Sequence, residues 1–276
     1  MDRKSSVIAY FNTKADQYDL VDTQPYWVLS DRILWDILTE KLAAVLESPS
    51  NAILDAGAGT GRWGLRLAAH FSRKVHSFDI SPEMIRVAQK KSQKDPSLEE
   101  SATFEVADID TFKASRPFEA VLVLHNVLSF VPDPLTSIRS LAAATKRGGL
   151  LAAAVGNQYH ALYFNIANRR TDQLQTNFKD KEVKFTETMP PMRLFTPEEL
   201  KLLFREAGFS EVEVLGFPVT IYPSTEETTI KHSNAKLKDL LEDKDVAEEI
   251  FSIEKTLSRK EEAAARGNIL LVIARK

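Results

Sequence analysis

Apolar residues recur along the chain in two alternating periods. Trp27, Leu29, Ile33, Leu34, Ile37, Leu38 and Leu42 share one face at helical spacing and predict a helix packed on a core. A short apolar run at Ile53 and Leu54 then ends at Asp55, and Leu65, Leu67, Ala68 and Ala69 restart the helical period. Lys74–Asp79 reads as a second strand ending in an acid, and Phe104–Ile109 as the third strand and its exit. Phe118–Leu124 is almost continuously apolar, the mark of a parallel strand buried on both faces. Ile138, Leu141, Ala142 and Ala143 form a helical face, Lys146–Gly149 reads as its stop, and Leu150–Val155 is a fifth strand. Val212–Phe217 and Asn268–Ala274 supply the last two strand-length runs. Strands alternating with helices predict an α/β fold with a mostly parallel sheet.

Local signals place several helix ends. Ser81 is a good N-cap, with Pro82 at the first helical position. Thr196-Pro-Glu-Glu199 is a capping box whose helix runs to Ala207 and stops at Gly208. Two segments interrupt the alternation. From about 157 to 195 the chain turns polar and aromatic, and a long insertion beside a site reads as a lid. Residues 218–267 carry Leu237, Leu240, Leu241, Val246, Ile250, Ile253 and Leu257 at helical spacing, either a second cover or a dimer surface. Residues 1–48, ahead of the first strand, read as an N-terminal helical cap, and 49–276 as one domain with two insertions.

Composition narrows the class. Hydrophobic residues make up 43% of the 276, ample for a core. No apolar run reaches the roughly 18 residues of a membrane span, and Met1–Ser6 lacks the apolar segment of a secretory signal, so a cytoplasmic location is expected. There is no cysteine, which removes thiolate chemistry, and the five histidines show no metal-ligand spacing. A net charge of −3 argues against a dedicated nucleic-acid binder.

The candidate chemistry sits at Asp55-Ala-Gly57-Ala-Gly59-Thr-Gly61, between the first strand and its helix. Glycine there reaches tight-turn angles and lets a ligand approach the backbone closely. The dinucleotide fingerprint spaces its second and third glycines three apart, but the residue three beyond Gly59 is Arg62. The preceding carboxylate, Asp55, suits a cationic amino group better than a pyrophosphate.

Asp55, Gly57, Gly59 and Gly61 resemble the E/D-x-G-x-G-x-G loop of the class I S-adenosylmethionine (SAM) dependent methyltransferases. Phe11–Asp19 resembles the entrance helix of the ubiquinone/menaquinone-biosynthesis-type enzymes, and Arg147-Gly-Gly149 before the fifth strand also matches the family. The resemblance implies a doubly wound, seven-stranded Rossmann-like sheet with SAM as cofactor. It implies that Asp79 binds the ribose hydroxyls, that Ile80 and Met84 flank the adenine, and that Asp108 with Ile109 meets the adenine amino group. Asp108 is favoured over Asp110 because it directly follows its strand. Tyr18 is expected to close over the cofactor.

His125 follows the central strand at the ligand end of the sheet, where methyl transfer is expected. With no metal and no cysteine, histidine is the natural proton acceptor, and His125 or, from the lid, His160 are the candidates. His70 and His76 read as surface or structural. The expected function is methyl transfer to an O, N or C atom of a small, partly hydrophobic metabolite. An RNA or protein methyltransferase and a silent SAM-binding scaffold are the alternatives, and homo-oligomerisation is left open.

Overall fold

The computed structural model describes residues 2–223 and 236–276. Residues 224–235, part of the second expected insertion, lie outside the described residues. Two helices precede the sheet: α1 (Arg3–Lys14), followed by a 3-10 segment over Ala15–Thr23, and α2 (Pro25–Ala43). Then come β1 (Ala52–Ala56), α3 (Arg62–Phe71), β2 (Lys74–Asp79), α4 (Pro82–Ser92), α5 (Pro96–Ser101), β3 (Ala102–Val106) and β4 (Phe118–Val123). The next elements are α6 (Val127–Phe130), α7 (Pro134–Ala144), β5 (Thr145–Gly156) and α8 (Gln158–Ala167). A two-residue pair, β6 (Glu182–Val183) and β7 (Met192–Arg193), precedes α9 (Pro197–Glu206) and β8 (Glu211–Phe217). The chain closes with α10 (Lys236–Glu242), α11 (Lys244–Leu257) and β9 (Ile269–Arg275).

The main sheet has seven strands in the order β3-β2-β1-β4-β5-β9-β8. Neighbours from β3 to β5 pair in parallel, and β9 runs antiparallel to both β5 and β8. This is the doubly wound class I methyltransferase fold. The strand order reverses between β1 and β4, and in such sheets ligands bind at that point, beyond the carboxyl ends of the strands.

Two cores flank the sheet. On one face α2 buries Ile33, Leu34, Ile37, Leu38 and Leu42 against Ile53, Ala120 and Leu122 of β1 and β4. On the other, Ile138 and Leu141 of α7 and Leu200 and Phe204 of α9 pack on Leu54, Val121 and Val123. Alternate residues of one strand therefore serve opposite cores, which is why β4 reads as an unbroken apolar run.

The expected caps are in place: Ser81 Oγ accepts from Met84 N at 3.2 Å and Thr196 Oγ1 from Glu199 N at 3.2 Å. Two boundaries differ from expectation. Lys146–Gly149, read as a helix stop, lies within β5, and α7 ends at Ala144. The chain terminus pairs there, with Gly148 N donating to Lys276 O and Lys276 N to Gly149 O, a partner invisible to local pattern. β3 ends at Val106, so Asp108 stands two residues beyond the strand rather than directly after it. Ala107 N, donating to Asp79 O at 3.0 Å, carries the chain across to the end of β2.

Candidate active site

A cleft opens at the reversal point between β1 and β4. Its floor is the glycine turn. Gly57, Gly59 and Gly61 all have positive φ (74°, 55° and 73°), where a side chain is strained. At Gly57 a Cβ would also meet Val127 Cγ2 at 2.4 Å. At Gly59 nothing lies nearer than 4.0 Å, and the atoms at that distance are Met84 Sδ and Tyr18 Cε1, both cleft-lining. The bare backbone there leaves a cradle that a side chain would fill.

Asp79, at the end of β2, ties the turn to the next loop. Its Oδ2 accepts from Gly59 N and its Oδ1 from Ser81 N, each at 2.8 Å. Burial raises its carboxyl above the usual range, and these backbone donors pull it back. Ile80, Met84, Asp108 and Ile109 line the same wall.

The opposite wall is apolar: Val127, Phe130 and Val131 from α6 and its exit, and Val7 and Phe11 from α1. Phe11 stacks edge-on with both Phe130 and Tyr18, at centroid distances of 5.4 and 6.4 Å. The N-terminal segment is also fastened by polar contacts on every side. Lys4 is ion-paired with Asp108 and, at 3.4 Å, with Asp110. Asn12 Oδ1 accepts from Ser81 Oγ at 2.7 Å, and Asp19 Oδ1 from Thr60 Oγ1 at 2.6 Å. Arg3 reaches Glu182 Oε1 at 2.7 Å, joining α1 to the first insertion.

Tyr18, Gly57, Gly59, Asp79, Ile80, Met84, Asp108, Ile109 and His125 therefore come together from scattered stretches of chain. Three expected residues do not face the cleft. Gly61 lies behind it, against Phe104 and Ala88. Asp55 is buried beneath the turn, where it accepts from the backbone N–H of Gly64 while its Oδ2 has no partner. Burial pushes its carboxyl up to about 7. Its place is under the first turn of α3, because β1 points that side chain into the layer between strand and helix. His160 sits in an aromatic nest, 5.0 Å between centroids from Tyr222 and 6.1 Å from Tyr163. Burial lowers it to about 4. His160 is not among the residues that line the cleft.

His125 lines the cleft but differs from the expected neutral-pH base. Burial, reinforced by the Arg62 guanidinium, pushes its imidazole down to about 3. It and Asn126 both adopt left-handed backbone (φ 52° and 69°), a conformation non-glycine residues hold only when their surroundings enforce it. Asn126 N is held by Ala154 O at 2.9 Å.

Lys4, Asp31 and Arg62 gained no role from the sequence. Each is an ordinary polar position on a helix, and only its partners mark it. Arg62 Nη2 bonds Asp31 of α2 at 2.5 Å and faces His125 Nε2 at 3.4 Å, and its other nitrogen pairs with Asp22. Among the described residues no group of three or more His, Cys, Asp or Glu could hold a metal ion, and no helix is long and apolar enough to cross a membrane.

Residues 53–149 match the methyltransferase domain family. The chain is 23% identical over 248 residues to the tRNA 5-carboxymethoxyuridine methyltransferase of Escherichia coli K12, covering 90% of this chain and 88% of that one. It is 32% identical over 126 residues to a ubiquinone biosynthesis O-methyltransferase of Xanthomonas campestris, over 44% of this chain and half of the relative. In fold it resembles the magnesium protoporphyrin IX methyltransferase of Synechocystis PCC 6803 with bound SAM, at a TM-score of 0.59 and 16% identity over 100% and 98% of the two chains. A SAM-dependent methyltransferase of Thermotoga maritima aligns at 0.54 and 18% identity, over 98% and 99%. Residues 53–149 thus carry a methyltransferase domain, and the strand order and glycine cradle are those of the class I, S-adenosylmethionine-binding methyltransferase fold.

Proposed function

We propose that this chain methylates a small, partly hydrophobic acceptor held between α1 and α6. The observation that carries the reading is the cleft's apolar wall of Val7, Phe11, Val127, Phe130 and Val131, set directly across from the glycine cradle. In this reading SAM supplies an activated methyl group, and the chain's own work is binding, alignment and exclusion of water. Asp79 holds the ribose hydroxyls, a task suited to an ionised acceptor of two hydrogen bonds. Ile80 and Met84 flank the adenine, and Asp108 with Ile109 meets its edge. Gly57 and Gly59 admit the methionyl part, and Tyr18 closes over it. Residues 1–48 act as the cap, with 157–195 as a side wall.

A second reading has a specific observation behind it. The similarity to the tRNA enzyme covers 90% of this chain, whereas that to the quinone enzyme covers 44%. On that reading the acceptor is a nucleoside of an RNA. Incubation with methyl-labelled SAM, a low-mass cell extract and bulk tRNA tests both. Label in the low-mass pool supports the first reading, and label in tRNA the second. No transfer to either leaves a SAM-binding scaffold.

A further inference from the structure

Transfer to a neutral hydroxyl releases a proton, so the cleft should hold a group to receive it, whereas a neutral amine attacks through its one lone pair and leaves nothing for a hydrogen-bond donor to hold. The titratable side chains lining it are Lys4, Tyr18, Asp79, Asp108, Asp110 and His125. Lys4 is committed to Asp108 and Asp110, and Asp79 to the N–H groups of Gly59 and Ser81. Burial pushes the Tyr18 phenol up to about 12, so it keeps its proton.

The geometry around His125 assigns its ring. Arg62 Nη2 faces His125 Nε2 at 3.4 Å, and a guanidinium only donates. Nε2 must therefore carry the lone pair, which puts the proton on Nδ1. Asp31 Oδ1 lies farther from Nε2, at 3.8 Å, while Asp31 Oδ2 is bonded to the same Arg62 nitrogen at 2.5 Å. Trp63 packs against the ring at 5.5 Å between centroids. No described residue accepts from Nδ1, and the side chain is 34% exposed, on the cleft.

We infer that His125 is a hydrogen-bond donor, through Nδ1–H, to an acceptor that arrives already ionised, an acidic oxygen of the carboxylate kind. Arg62 is the positioning residue that locks the ring in the donor tautomer. The inference rests on the methyltransferase reading and narrows its substrate. The carboxylate oxygen bonds to the methyl carbon, the carbon–sulfur bond breaks, and its electron pair stays on the sulfur of the departing S-adenosylhomocysteine. The product is a methyl ester, and no proton is released, so no base is needed.

Two measurements test this. Nitrogen-15 NMR of the free protein should show His125 with a pyrrole-type Nδ1 and a pyridine-type Nε2, unchanged from about pH 5.5 to about pH 8.5. Arg62→Gln should shift the ring's titration upward. A wild-type ring protonated on Nε2, or titrating within that window, overturns the proposal. In the labelling experiment the transferred methyl should be released as methanol by mild alkali, as an ester is. His125→Ala should lower kcat/KM ~10-fold or more and His125→Gln, which keeps an N–H, should recover most of it. A labelled product stable to alkali overturns this inference while leaving the acceptor reading intact. No labelled product in any pool overturns the acceptor reading itself, and the NMR result then decides the donor assignment by itself.

Discussion

The backbone N–H of Gly59 donates to Oδ2 of Asp79 at 2.8 Å, joining the turn after β1 to the end of β2. One carboxylate thus shapes the cradle and stands in the cleft. Asp79→Ala should weaken SAM binding by ~2 kcal/mol or more, because charge-assisted bonds are lost on both sides. Isothermal titration checks it. Saturable NAD binding that survives the substitution would sink the cofactor assignment.

Gly57 and Gly59 should separate stability from binding. Gly57→Ala forces a Cβ to within 2.4 Å of Val127 Cγ2 in a strained backbone, and should lower the melting temperature markedly. Gly59→Ala meets nothing closer than 4.0 Å, so its fold cost should be about 1 kcal/mol from the backbone alone. Its Cβ points toward cleft-lining atoms, so SAM affinity should fall. Equal stability losses with unchanged binding at Gly59 would contradict the cradle.

The N-terminal segment is held by side-chain contacts to the cleft rather than by the sheet. Removing residues 1–20 deletes Lys4, Phe11, Asn12, Tyr18 and Asp19, but leaves α2 and both cores intact. The truncated protein should stay folded by circular dichroism and lose SAM affinity and turnover. Unchanged kinetics would show the segment to be passive.

Asp55 makes stability depend on pH. Its folded carboxyl titrates at about 7 against an ordinary 3.8, because burial penalises the charge. The folded state therefore binds the proton more tightly than the unfolded chain. This contribution is fully present below the unfolded value and is lost as pH rises to about 7, by up to roughly 4 kcal/mol. Asp55→Asn keeps an acceptor for Gly64 N–H and removes the charge. It should be more stable than wild type at about pH 7.5 and close to it at about pH 4. Parallel pH–stability curves for the two proteins would refute the assignment.

His160 should matter to the insertion and not to chemistry. His160→Ala removes a ring packed between Tyr163, Phe164 and Tyr222, and should cost about 1–3 kcal/mol of stability. Turnover at a temperature where the variant is folded should stay within about threefold of wild type. A ~10²-fold loss in kcat there would restore His160 to the mechanism.

The features readable from residue order are local and periodic. Strands β1, β2, β4, β8 and β9, the helix α2, the caps at Ser81 and Thr196 and the glycine turn are written in spacing and turn chemistry, which depend on residues a few positions apart. Gly57, Gly59 and Asp79 were legible for the same reason. Tertiary structure decided the rest, because it rests on contacts between residues far apart in the chain. The early start of β5 rests on the pairing of Thr145 with Phe118 of β4 and on the backbone of Lys276. The clasp of Lys4 on Asp108 spans 104 residues, and the facing of Arg62 and His125 spans 63. That one guanidinium, which can only donate, leaves the proton of the ring on Nδ1, and no periodicity records it.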